Sequence, residues 1–586
     1  MQIPDKNKKW IQPNRGDSFG NLFSTFNMDF DTVLGKVRVA PRLRINTDEV
    51  DDTDLTLPTA FVRSTADLTD KWWALCGTTL FKTSGTDPSA AFTQDANASS
   101  PTNATTLASD MIEFNNKLYV SLNTNITELD GAVSSTWDVD WWTTVPSGTA
   151  LTTAIPHPMH VTIKTNLFLV GDGNLLHVMD KNENVSNSRI ILPSEFQIMW
   201  IRSSKEGTWI GARHTANGEA KVFFWDESAE NYNRAYGVKS DNTFAGLIKN
   251  GICHTINNAG QLLRFDGSGF AEIAVFPVFE QINKRWYTGT NNLVSVHRNG
   301  MAVIDEEISI LVNSEVNNNI ADVLVNFPSG VWTFNENEGL RHKYSLSQYD
   351  GTEIDYGTFI TEDVGALVPT TANQGLFLAG GDIFTSASAT LNAIFFRDET
   401  DSIVKRGHFT TSVFEASSVE DIFQDLLVWF KRFRSSSDRI IIKYRVIKDP
   451  NYPIVGGGTW SDTDTFTSTD TLTNAVAGDE VFIIRGRGSG TLLTIGSISE
   501  AGGTFTVNLT ETTPNVSGTF AFIIDNWTLA ATVSIQGIER QQFDLDVPGT
   551  WIQLKVELRS ASGSAGAGDS PELEKIEVRQ KPDEVI

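Results

Sequence analysis

Between Trp73 and Phe396 the chain repeats one hydrophobic phrase: an apolar, strand-like triplet, a polar break, a second apolar run and often an acidic turn. Clear copies run from Lys117-Leu118-Tyr119-Val120 to Asp130-Gly131, from Asn166-Leu167-Phe168-Leu169 to Asp180, and from Gly251-Ile252-Cys253 to Asp266-Gly267. Related phrases surround Leu75, Trp209, Ala302, Trp332 and Phe377. With Leu75, Tyr119, Phe168, Trp209, Ile252, Ala302, Trp332 and Phe377 as markers, the spacings run about 44, 49, 41, 43, 50, 30 and 45 residues, close to the roughly 40 to 50 of one four-stranded blade. The pattern predicts an all-β protein with a β-propeller of about seven blades over 61–398, the short interval before Trp332 being a degenerate blade or an excursion.

The grammar changes after Asp398. Leu427 to Phe433, a Ser-rich turn, and Ile440 to Val446 read as a hairpin. The stretch Val419 to Leu427 fits a helix start on Ile422, Phe423, Leu426 and Leu427, or a strand, and the strand is favoured. Residues 459–527 carry the short strands and glycine turns of a small β-barrel. Alternation resumes at Trp551 to Leu558 and at Leu573 to Val578. The expected order is therefore an N-terminal docking arm (1–60), the propeller (61–398), and a β-sandwich (399–458 plus 528–586) with the barrel (459–527) inserted. The loop Ser560 to Ser570, nearly all Ser, Ala and Gly, reads as a flexible tip.

Composition narrows the function classes. The 586 residues carry a net charge of −26, which argues against general nucleic-acid wrapping. The charge is uneven, because Met1 to Arg44 holds eight basic and four acidic residues, a net +4, so the remainder is at −30. A basic arm on an acidic body suits docking onto an acidic neighbour. Cys76 and Cys253 both sit in apolar runs and read as buried thiols of a protein made in a reducing compartment. The polar opening, Gln2 to Gln12, is no secretory signal, and no apolar run approaches the roughly 20 residues of a membrane span. Export would then be by lysis or within a particle.

Candidate chemistry is sparse. Gly486-Arg487-Gly488-Ser489-Gly490 lacks the Lys-Ser/Thr ending of a phosphate loop, and Gly16-Asp17-Ser18-Phe19-Gly20 lacks the strand-to-helix turn of a nucleophile elbow. Arg15-Gly16-Asp17 is too short to weigh. The acidic clusters Asp226-Glu227, Asp305-Glu306-Glu307 and Asp350 with Glu353 and Asp355 offer carboxylates for glycoside hydrolysis, but sequence neighbours on a strand point to opposite faces, and solvated turns are the default. His157 and His160 are the one close histidine pair. Asp51-Asp52-Thr53-Asp54 is a weak cation candidate, and no metal-ligand framework accompanies it. No catalytic residue, metal ligand or cofactor is assigned. Trp72, Trp137, Trp141 and Trp142 are candidate glycan contacts, as stacking platforms on exposed loops.

The N-terminal phrases carry a resemblance. Gln12-Pro13, Arg15, Asn21 or Asn27, and Gly35-Lys36 through Pro41-Arg42 resemble the opening of β-propeller tail proteins of tailed bacteriophages, most nearly the tail nozzle proteins of short-tailed phages. The later part, from Trp429-Phe430-Lys431-Arg432 through Gly478-Asp479-Glu480-Val481 to Trp551-Ile552-Gln553-Leu554-Lys555, is similar to accessory β-domains of phage tail proteins. The resemblance implies a structural, non-enzymatic virion protein, synthesised in the host cytoplasm and assembled into the tail. It implies a homo-oligomeric ring, commonly a hexamer, attached to the portal adaptor and meeting other tail proteins such as tail fibres, around a channel that DNA passes without specific binding. An acidic lumen repels a passing polyanion. The conduit is expected between subunits, with Arg15, Asn21, Asn27, Lys36, Arg38, Pro41 and Arg42 as the assembly arm. The alternative is a receptor-binding tail adhesin that grips a cell-surface glycan.

Overall fold

The computed structural model describes residues 25–26, 28–31, 36–40 and 43–45 of the N-terminal stretch and most of 57–582; the longest stretches outside the description are 1–24, 46–56, 96–109, 277–295, 313–329 and 561–570. The described chain is all-β, with one four-residue helix at Trp141–Thr144.

The repeated phrase folds into small antiparallel sheets spanning 58–94, 110–129, 159–191, 196–237, 243–275, 301–344 and 367–397, nearly all of them four-stranded. Within these sheets strands that are consecutive in the sequence pair with one another, several of them through tight turns. Three such turns use two successive residues at positive φ: Asn115 and Asn116 (51° and 61°), Asn250 and Gly251 (52° and 79°), Asp305 and Glu306 (49° and 63°). Two positive φ values in a two-residue loop match the right-handed twist of the flanking strands, which is why Asn, Asp and Gly occupy five of these six sites, Glu306 being the sixth.

The sheets are arranged in a ring, as in a β-propeller. The opening strands Pro58–Ser64, Asp110–Phe114, Met159–Val161, Phe196–Ser203, Thr243–Lys249, Met301–Ile304 and Leu367–Pro369 each contact the next, and the last returns to the first. Two sheets are completed from elsewhere. Arg44–Ile45 adds the outer strand to the 367–397 sheet, with Phe396 opposite Arg44 and Phe395 opposite Ile45. In the 110–129 sheet the fourth place is taken by a single bridge between Glu128 and Asp138. The repeat markers Leu75, Tyr119, Phe168, Trp209, Ile252 and Phe377 all lie on second strands, whereas Ala302 and Trp332 belong to the first and third strands of one sheet. The short marker interval is thus a distance within a sheet.

Apolar side chains fill the gaps between sheets. Trp73, Leu75 and Leu80 meet Met111, Leu118, Val120 and Trp137, and Tyr119, Trp141 and Trp142 meet Phe168 and Met179. Burial of each such side chain stabilises the fold by about 1.5–3 kcal/mol before entropy is counted. Trp200 is closest-fitted, lying between Gly211 and Gly246, where an added Cβ would fall 2.0 Å and 2.5 Å from its ring. Its indole N–H donates to the Thr243 hydroxyl at 3.0 Å.

The C-terminal part is a two-layer sandwich. One sheet runs Thr25–Phe26, Arg406–Thr410, Trp551–Arg559, Arg439–Arg445, Thr528–Val533; the other runs Met28–Asp31, Lys36–Val39, Leu573–Pro582, Asp421–Phe430, Arg540–Pro548. Asp421–Phe430 is a strand, as favoured from sequence. The expected hairpin over 427–446 is corrected: its two strands lie in opposite sheets, and both face the same core, Leu426 and Val428 from one side, Ile440 and Ile442 from the other. A chain that crosses from layer to layer shows the same alternation as a hairpin, because period two fixes which residues share a face and not which strand pairs with them.

Ile454–Asp462, Thr465–Ser468, Glu480–Gly486, Leu492–Ala501, Thr504–Leu509 and Gly518–Asp525 close into a barrel around Trp460, Phe466, Phe520 and Phe522. Trp460 and Phe520 stack at 4.4 Å. The barrel begins a few residues earlier and ends slightly earlier than the sequence indicated. Gly486 ends a barrel strand.

The N-terminal segment is not a separate arm over its described residues. Met28, Val37 and Val39 are fully buried in the sandwich core, and Ala40 and Leu43 are buried among propeller residues such as Leu311, Val331 and Phe377. Apolar positions at alternate residues of a strand seek a buried face, and here the chain's own sheets supply it.

Candidate functional site at the propeller axis

Asn299, in the loop before the 301–344 sheet, is a hub for side chains and backbone from several sheets. Its side-chain N–H2 donates to the Thr59 carbonyl at 3.1 Å and to Asp110 Oδ1 at 3.0 Å. Its Oδ1 accepts from Arg202 Nη2 at 3.3 Å, and its backbone carbonyl accepts from the Leu367 N–H at 2.8 Å. Thr59, Asp110, Arg202 and Leu367 belong to four different sheets, so these contacts join sheets that are not neighbours around the ring. Only at the axis can one residue reach them all.

Asp110 is buried at the start of its strand. Its two oxygens accept the backbone N–H groups of Met111 and Met159, each at 2.9 Å. Arg202 donates to the carbonyls of Ile201 at 2.8 Å and Arg298 at 3.0 Å. The Arg298 side chain lies beside them, and its buried Nη1 has no hydrogen-bond partner among the described residues. Burial pushes both guanidiniums down from their ordinary value, Asp110 opposes this, and at Arg298 the charge of Arg202 adds to it. Guanidinium stays protonated in proteins even so, and the site holds two cations against one carboxylate.

Two imidazoles border the cluster. His160 Nε2 accepts the Ser203 N–H at 3.0 Å, and His297 Nδ1 accepts the Asn299 N–H at 3.2 Å. Burial, reinforced by the nearby arginines, takes each histidine down to about 3, so both are neutral at physiological pH.

The residues singled out from sequence fall elsewhere. Trp72, Trp137, Trp141 and Trp142 are 4%, 6%, 4% and 0% exposed, which corrects their reading as glycan platforms. A stacking platform needs an open ring face, and these faces are covered by neighbouring sheets. Of the assembly-arm residues, Arg15, Asn21, Asn27, Pro41 and Arg42 lie outside the described residues. Lys36 and Arg38 lie on a strand of the chain's own sandwich, paired with Met28–Asp31. Asp51, Asp52 and Asp54, and the cluster of Asp350, Glu353 and Asp355, are likewise outside the description. Asp226 caps a turn through the N–H groups of Ser228 and Ala229, both at 2.8 Å, while Glu227 accepts the hydroxyls of Thr165 and Thr208. Asp305 and Glu306 are turn residues, and Glu307 pairs with Arg341. His157 is buried and bonded to the carbonyls of Gly171, Asn123 and Thr152. Cys76 and Cys253 are free and buried, matching the reading from sequence, and burial pushes both thiols up. Among the described residues no group of three or more His, Cys, Asp or Glu is placed to hold a metal ion.

Sequence reasoning missed the axial cluster. Asp110, Arg202 and Asn299 are separated by 92 and 97 residues, and none belongs to a motif. The one local signal was an arginine directly after the apolar run Ile198 to Ile201.

Fold and site together define an all-β, propeller-like ring joined to a sandwich that carries an inserted barrel. No protein-family profile matches the chain, and no curated protein matches it. Among solved structures it is similar to the extracellular domain of a hybrid two-component system from B. thetaiotaomicron (TM-score 0.40, 10% identity), over 78% of this chain and 45% of that one. The chain thus spans less than half the length of that protein. It is also similar to a chain of the mitotic checkpoint complex (TM-score 0.36, 12% identity, 62% of this chain and 95% of that one) and to YCF48 from Cyanidioschyzon merolae (TM-score 0.35, 8% identity, 61% and 98%). At these scores the fold rests on the strand pairing described above. Among the described residues no helix is long and apolar enough to cross a membrane.

Proposed function

We propose that this chain is a structural virion protein, a subunit of a bacteriophage tail channel of the nozzle or tail-ring type, with a seven-bladed propeller as its rigid body. The observation that carries the reading is the Asn299 hub. Hydrogen bonds of about 3 Å cross the axis from sheet to sheet, so a DNA duplex cannot thread the propeller itself. A DNA conduit built from such subunits lies between copies of a chain whose net charge is −26. Like charge keeps a passing polyanion from sticking, over a range of about 8–10 Å at physiological salt. A hexameric ring below the portal adaptor, meeting tail fibres, is the assembly this reading implies, with Arg15, Asn21, Asn27, Pro41 and Arg42 as docking residues.

The structural role also fits where the polar chemistry lies, since the acidic clusters within the description cap turns, accept threonine hydroxyls or pair with arginine. The adhesin alternative loses the four tryptophans on which it rested. Immunogold labelling of intact phage particles with antibody to this chain tests the proposal. Label on the tail axis is the expected result. Label on peripheral appendages, or particles without the protein, would overturn it.

A further inference from the structure

We propose that the propeller axis holds a small oxyanion of the phosphate or sulfate class between the guanidiniums of Arg202 and Arg298. This site is independent of the virion reading and would exist in the isolated chain.

The argument begins with unmatched donors. Every described partner of Arg202 is an uncharged oxygen: the carbonyls of Ile201 and Arg298 and the amide oxygen of Asn299. Arg298 has a buried Nη1 with no described partner at all. Asp110 is the nearby carboxylate, yet its oxygens are taken up by the N–H groups of Met111 and Met159 and the amide of Asn299, and it makes no ion pair within 4 Å with either arginine. A half-buried guanidinium without an anionic partner is costly to maintain, and so is the buried donor at Arg298 Nη1 left unmade.

Chemistry then selects the ligand. The unmatched N–H of Arg298 Nη1, beside the positive charge of Arg202, suits an oxygen of phosphate or sulfate, which accept several charge-assisted bonds at once. A metal cation is repelled by the same pair. The bordering imidazoles of His160 and His297 are neutral, so they can hydrogen-bond an anion without adding to the repulsion between the arginines. Water could satisfy the donors but supplies no charge. A nucleic-acid strand presents the same phosphate chemistry, but the Asn299 hub crosses the axis and leaves no path for a polymer backbone, which favours the free ion.

The test is titration calorimetry of the full chain with sodium phosphate, at ionic strength held constant with sodium chloride. Saturable binding near one ion per chain is expected, with affinity lowered about tenfold or more in Arg298→Gln and less in Arg298→Lys, which keeps the charge. A short oligodeoxynucleotide should fail to compete. Thermal melts accompany each variant, and if neither folds, phosphate must still raise the wild-type melting temperature above that in matched chloride. Absence of saturable binding and of that thermal shift, unchanged affinity in folded Arg298→Gln, or full competition by the oligonucleotide would each overturn the proposal.

Discussion

Glu480 of the barrel and Lys555 of the sandwich form a buried ion pair where the two modules join, and Lys443 reaches the same carboxylate from the adjacent strand. Lys443 and Lys555 stand directly opposite each other in register. Like charges so placed repel, and Glu480, 3% exposed, is the shared counter-charge that lets both remain. Asp525 with Arg445, and Trp527 beneath Arg445 at 4.5 Å, complete the junction. The barrel is therefore seated by charge as well as by its two chain connections.

Glu480→Gln should destabilise the protein by about 3 kcal/mol or more, since it leaves two lysines in a poorly solvated seam without their anion. Chemical denaturation followed by tryptophan fluorescence reads the change. A loss below about 0.5 kcal/mol would mean that the seam is wet and the pair incidental.

The same group gives a pH dependence. Burial alone would raise Glu480, but Lys555 and Lys443 outweigh it and hold the carboxyl below its ordinary value. A depressed folded-state value means that this stabilisation is fully present above the unfolded value, near 4.3 for glutamate, and is lost as the pH falls through the folded one. Asp525 acts in the opposite sense, because burial raises it. The stability difference between wild type and Glu480→Gln should therefore be constant from about pH 5 to 8 and shrink below about pH 4, measured by denaturation at each pH.

Gly211→Ala should cost about 1–3 kcal/mol or more, because the new methyl would overlap the Trp200 ring, which Gly246 confines from the other side. Thermal unfolding of the variant gives the answer. An unchanged melting temperature would show that Trp200 can move aside.

Asn299→Leu removes the side-chain hydrogen bonds that cross the axis and should lower stability by about 2–4 kcal/mol at a net 0.5–1.5 each with some buried partners left unpaired. Amide exchange localises the effect, with faster exchange expected in the opening strands around the ring. Loosening confined to the 301–344 sheet would argue that Asn299 is a local loop residue.

Removing residues 1–45 should leave a protein that associates or precipitates. The deletion uncovers Ala389–Arg397 by taking away Arg44–Ile45, strips the strands that pair with Arg406–Thr410 and Leu573–Pro582, and takes Met28, Val37 and Val39 from the sandwich core. Size-exclusion chromatography of the truncated chain decides, and a stable, monodisperse product would show that the segment is dispensable to the fold.

Local pattern was sufficient for the strands, for six of the eight repeat markers on equivalent second strands, and for a sandwich interrupted by a barrel. Alternation of apolar residues and turn-formers such as Asn250-Gly251 act over a few residues, and a sequence displays them directly. Tertiary structure alone decided which partners those strands take. It gave Arg44–Ile45 to the last propeller sheet, sent Asp421–Phe430 and Arg439–Arg445 into opposite layers, and turned Trp141 and Trp142 inward. It also brought Asp110, Arg202 and Asn299 together across the ring. The physical reason is that period two states which side chains share a face but carries no information on which distant surface will cover that face, and charges far apart along the chain become neighbours only when the ring closes.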